Sequence, residues 1–117
     1  LIKSGNEHSI CISNSKVFSW GKSEGGVLGY IENPIEYFPK EIKNLLKDYN
    51  DYNDLQINIC CGSLHNVAII EEKNTNTKVF TWGYGEGGQL GLPEKYLSIN
   101  AKKGFISDPT EINISNI

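Results

Sequence analysis

The chain repeats itself. The segment Val17-Phe18-Ser19-Trp20-Gly21-Lys22-Ser23-Glu24-Gly25-Gly26-Val27-Leu28-Gly29 returns at 79–91, differing only where Thr81, Tyr84, Gly85 and Gln89 replace Ser19, Lys22, Ser23 and Val27. Gly5-Asn6-Glu7-His8 returns as Gly62-Ser63-Leu64-His65, and Pro39-Lys40-Glu41-Ile42 as Pro109-Thr110-Glu111-Ile112. Self-similarity of this kind constrains the fold more than composition does, because each copy is one supersecondary unit that must stack on a neighbour to bury its apolar face. The three offsets are 57, 62 and 70, so the second copy carries inserts. Two units result, 1–56 and 57–117. The first has a low-complexity insert at 43–56 and no recognisable opening strand, and the second has a long loop at 92–108.

Within each unit the segments are short. Ile10-Cys11-Ile12 and Val67-Ala68-Ile69-Ile70 are brief β-rich runs, of the kind found in strands covered on both faces. Lys16–Trp20 and Lys78–Trp82 set Ser or Thr between aromatic residues with the period of a strand, and Gly21 and Gly83 end them. Ile57–Cys60 supplies the opening strand of the second unit. The Pro-x-Glu-Ile segments read as edge strands, where a missing N–H is tolerated. This gives about four strands per unit. The only helix-like stretch, 41–49, is short, and the Asp-Tyr-Asn repeat over 48–54 reads as an exposed insert.

Composition narrows the function. A chain of 117 residues has room for one small domain, and 38% hydrophobic with 21% charged residues is too apolar for disorder. Eleven Lys, no Arg and a net charge of −3 argue against a nucleic-acid surface. Cys11, Cys60 and Cys61 are odd in number. Adjacent cysteines on a strand point to opposite faces, so a reduced, intracellular setting (cytoplasmic or nuclear) is expected. No apolar run approaches a membrane span. Two histidines and no CxxC give no structural zinc spacing. The chain opens on Leu1, inside a unit, as a piece of something longer would.

With Gly-x-x-His, an aromatic strand ending in Trp-Gly, then Glu-Gly-Gly-x-Leu-Gly and a later Pro-x-x-Ile, the unit resembles the regulator of chromosome condensation repeat, over about 5–42 and 57–112. The resemblance implies an all-β fold, two four-stranded antiparallel blades (the first incomplete) of a seven-bladed β-propeller. It makes Gly5, His8, Trp20, Gly21, Gly26 and Gly29 structural positions of the first unit. Gly62, His65, Trp82, Gly83, Gly88 and Gly91 are their counterparts in the second. Members of this family include an exchange factor for the small GTPase Ran, ubiquitin ligases and scaffolds, so kinship alone does not fix a function. Fewer than two units cannot close a ring, and the remaining blades or further copies are expected to complete the fold.

No residue pattern supports catalysis. Gly83-Tyr84-Gly85-Glu86-Gly87-Gly88 spells G-x-G-x-x-G, yet no helix follows to receive a phosphate, and the first unit has Ser23 in place of Gly85, so turn glycines are expected. His8 and His65 occupy equivalent places one sheet apart, where each is expected to tie its own turn to the backbone without sharing an ion. Cys60 and Cys61 are expected to pack. Phe18, Trp20, Phe80 and Trp82 repeat at matching sites and read as core, not as a base-stacking platform. No cofactor or metal is expected. The residues that could meet a partner are Glu32, Tyr37 and Phe38 in the first long connection and Lys95, Tyr96, Lys102, Lys103 and Phe105 in the second. The reading is a non-enzymatic interaction or scaffold module whose partners are proteins. The alternative is exchange activity on a Ran-type GTPase with chromatin association, using the 30–38 connection as a wedge.

Overall fold

The computed structural model describes residues 1–31, 33–73, 75–93 and 104–114, and it contains eight strands in two antiparallel sheets. The first sheet has the order β1 (Ile2–Ser4), β2 (His8–Ser13), β3 (Lys16–Lys22), β4 (Ile35–Glu41). The second has β5 (Leu55–Cys61), β6 (His65–Glu72), β7 (Thr77–Tyr84), β8 (Phe105–Ile112). Each is a meander, in which strands follow one another in space as in sequence. The first sheet is therefore complete, against the expectation of a missing strand. Its β1 pairs Ile2 with Cys11 and Ser4 with Ser9, and all three of its residues are exposed, so no apolar pattern marks it in the sequence.

The core lies between the sheets. Ile10 and Val17 of the first face Ile59, Ala68, Ile70 and Trp82 of the second, each at most 3% exposed. Alternation along the strands puts Ser9, Cys11, Phe18 and Trp20 on the far face of the first sheet, and Cys60, Val67, Ile69 and Val79 on the far face of the second. The short apolar runs are thus covered on one face within this chain: β6 runs from buried Ala68 to exposed Ile69 to buried Ile70.

The insert does more than fill space. In place of a helix there are single 3-10 turns at Lys43–Leu45 and Tyr52–Asp54. Leu45 and Leu46 plug the core at 2% exposure, and Tyr49 and Tyr52 pack against it. The acidic and amide residues between them stay in solvent, so the expectation of an exposed insert holds for Asp48, Asn50, Asp51, Asn53 and Asp54 but not for the tyrosines.

Candidate interaction surfaces

The seam between the sheets is organised by one amide. Asn66 on β6 is fully buried; its Nδ2 donates to the Val27 carbonyl at 2.7 Å, and its Oδ1 receives the His8 Nε2 at 2.8 Å. Because Nδ2 is committed to a carbonyl, Oδ1 must accept, so His8 carries its proton on Nε2 and leaves Nδ1 bare. That Nδ1 is buried with no hydrogen-bond partner. Trp82, also fully buried, donates Nε1 to the same Val27 carbonyl at 3.0 Å. His8 therefore reaches into the neighbouring sheet and does not anchor its own turn. Burial pushes its pKa below the ordinary 6.5, the Asn66 bond works against that shift, and the field of His65 adds to it. The two imidazoles remain on different sheets, His8 on β2 and His65 on β6. Sequence reasoning missed Asn66, because the matching position in the first unit is Ser9.

Glycine permits these approaches. A Cβ on Gly5 would strike the His8 ring, and one on Gly62 the His65 ring. Gly21 and Gly83 have φ of 112° and 109°, and a Cβ there would sit 2.5 Å from the carbonyls of Glu7 and Leu64. The turn after each Trp-Gly strand is fixed by a hydroxyl: Ser19 Oγ donates to the Leu28 carbonyl and Thr81 Oγ1 to that of Leu90, both at 2.7 Å. Gly85 to Gly91 form tight turns in which Gly88 N donates to Gly85 O and Gly91 N to Gly88 O at 3.1 Å, and β7 does not lead into a helix.

The open faces carry the chemistry that remains. Opposite Trp20, between the pairs Ser19–Lys40 and Gly21–Glu36, strand β4 has three residues against one: Tyr37, Phe38 and Pro39. The same irregularity stands opposite Trp82, where Ser107, Asp108 and Pro109 intervene between the pairs Thr81–Thr110 and Gly83–Ile106. In the second sheet that bulge packs on the first. Ser107 lies against the Gly26 turn, and Asp108 Oδ1 accepts from Asn44 Nδ2 at 3.0 Å. In the first sheet Tyr37 and Phe38 are 77% and 79% exposed, and Ile2 is 68% exposed. Trp20, the counterpart of buried Trp82, is only half-buried.

The other candidates are dispersed. Glu32, Lys95, Tyr96, Lys102 and Lys103 lie outside the described residues, and Phe105 is half-buried at the start of β8. Half of the 30–38 wedge is strand, since β4 begins at Ile35. Of the cysteines, Cys61 is half-buried with its thiol pushed up to about 11 by burial, whereas Cys60 is exposed on the open face and does not pack within this chain. A groove of about 590 Å³ runs between the insert and β8, lined by Ile31, Lys47, Asp48, Asp108 and Glu111 among others. Among the described residues no three His, Cys, Asp or Glu side chains are grouped for a metal, and no helix is long and apolar enough to cross a membrane.

Comparison with known proteins agrees with this geometry. Residues 77–116 match the family model of the Regulator of chromosome condensation (RCC1) repeat. The chain is 35% identical over 100 residues, 84% of its length, to human "Probable E3 ubiquitin-protein ligase HERC6", of which it spans 9%. It is 34% identical over 103 residues, 86% of its length, to human "E3 ubiquitin-protein ligase HERC2", of which it spans 2%. Among solved structures it resembles human WBSCR16, with a TM-score of 0.69 and 24% identity over 97% of this chain and 26% of that one, which bears on the fold alone.

Proposed function

The chain belongs to the RCC1-repeat family, and from that premise we propose that it is a non-enzymatic, protein-binding scaffold module whose outer sheet faces seat further repeat units or further copies. The observation that carries this is the aromatic far face of the first sheet. Phe18 and Trp20 lie on that face, and Tyr37 and Phe38 in the bulge opposite Trp20 are exposed, whereas the matching bulge of the second sheet is closed by packing against a neighbour. An exposed aromatic surface of this sort marks association, since leaving it in water forfeits roughly 25 cal/mol for each Å² of apolar area. Glu32, Lys95, Tyr96, Lys102 and Lys103 are then the positions proposed to meet a protein partner in a cellular compartment, cytoplasmic or nuclear. A Ran-type GTPase partner has no observation of its own in favour, and the second half of the wedge it needs is strand β4.

The test is sedimentation at micromolar concentration, with and without Phe38→Ser. Association through this face predicts species heavier than the 13 kDa chain that dissociate in the variant while strand content by circular dichroism is unchanged. A monodisperse 13 kDa species with a cooperative melt that the substitution leaves unaltered would overturn the reading.

A further inference from the structure

We propose that the seam between the two sheets is acid-labile, and that the His8–Asn66 contact is its proton-sensitive element. The geometry carries this. His8 is 3% exposed, its Nε2 proton is committed to Asn66 Oδ1, and Asn66 is committed in turn to the Val27 carbonyl that also holds Trp82. A second proton can enter only at Nδ1, which is buried and has no acceptor. The protonated ring would therefore place an unpaired charge and an unsatisfied donor in the seam, which is costly in a low-dielectric site. Opening the seam delivers Nδ1 to water, so protons favour the open form.

The surrounding groups do not cancel the effect. Across the seam stands His65, whose field opposes protonation of His8. Glu7, the preceding residue, is engaged with Lys22 at 3.3 Å in a half-exposed ion pair. Cys61, opposite Asn66 in register, keeps its proton well above neutrality, and Lys3 is the cation whose field reaches it. Among the described residues the groups acting on the imidazole are Asn66 and His65, and no carboxylate is among them to stabilise the charge.

The sign follows from linkage. In the open or unfolded chain the imidazole titrates near its ordinary 6.5, and in the closed seam it titrates lower. The open form thus binds more protons below that value. The seam contribution is fully present above pH 6.5 and is lost as pH falls towards the folded value, with a closed-to-open ratio that drops by up to about tenfold per pH unit.

The experiment compares chemical denaturation, followed by tryptophan fluorescence, at pH 7.5 and pH 5.0 for the whole chain in the assembly state it adopts. Wild type should lose stability at the lower pH, and His8→Gln, whose amide can still donate to Asn66 but cannot titrate, should lose much less. His65→Gln, which removes the smaller opposing field but leaves His8 buried, should keep most of the wild-type dependence. Equal loss in wild type and His8→Gln, or no loss in wild type, would overturn the proposal. If His8→Gln does not fold, imidazole nitrogen chemical shifts of wild type decide: a bare Nδ1 that stays bare below pH 6 in the folded protein supports it, and a proton on Nδ1 at pH 7.5 refutes it. The proposal concerns a contact inside the chain, so it stands or falls apart from whatever covers the outer faces.

Discussion

Asn66 and Trp82 converge on a single carbonyl, that of Val27, from two side chains of the other sheet. A carbonyl has two lone pairs, so both donors are satisfied, and each loses its partner when the seam is disrupted. Trp82→Ala is expected to cost about 3 to 5 kcal/mol, because a wholly buried indole leaves a cavity between sheets. Trp20→Ala should cost clearly less in this chain, since its ring is only half-covered; equal losses in chemical denaturation would mean that the two tryptophans are in equivalent surroundings. Gly83→Ala is expected to destabilise by roughly 1 to 3 kcal/mol, as φ of 109° is a region that L residues rarely adopt. Thiol labelling offers a separate check. At pH 8 Cys60 should react with iodoacetamide while Cys61, with its thiol held near 11 and half-buried, is protected; faster reaction at Cys61 would contradict the geometry.

At the scale of the element, packing decided what local pattern could not. Strand β1 is three exposed residues, held by its pairing with β2 and by the bond from Ile12 N to the Leu1 carbonyl at 3.0 Å. Edge strands of that kind leave no periodic signature. The Asp-Tyr-Asn repetition of the insert reads as solvent-exposed, yet the alternation of polar and aromatic residues lets Tyr49 and Tyr52 turn inward while the polar ones face out. Leu46→Ala should therefore cost about 2 to 5 kcal/mol, whereas Asn50→Ser should stay within about 0.5 kcal/mol. Thermal melts of the two variants distinguish a structural insert from a tolerated one, and a silent Leu46→Ala would show that the insert is not part of the core.

At the scale of the whole molecule, two equivalent bulges lie in unequal surroundings. Ser107 and Asp108 are small and polar, and they meet the Gly26 turn and Asn44 of the first sheet. Tyr37 and Phe38, at the same place in the first sheet, are large and uncovered. A seat that accepts them must have room where the Gly26 turn is tight, so the covering unit is expected to differ from the first sheet at that point. Crosslinking from a cysteine introduced at Tyr37 checks this: capture of an added segment or a second copy supports a seat there, while reaction with small thiol reagents alone speaks for a face left in water.

The sequence by itself determined the repeat, every strand but β1 and the places of the turn glycines, because these follow from local periodicity and from backbone conformations that only glycine adopts without strain; the antiparallel four-stranded order came with the resemblance to the repeat. It also put the two adjacent cysteines on opposite faces of a strand, but left open which of them would be exposed. Tertiary structure alone decided the rest. That His8 ends at Asn66 and not at its own turn, that Val27 offers a carbonyl to two donors, and that Trp82 is sealed while Trp20 is half-open all depend on which sheet lies next to which. Equivalent residues of a repeat carry the same local signal, and what separates them physically is whether a neighbour is there to exclude water.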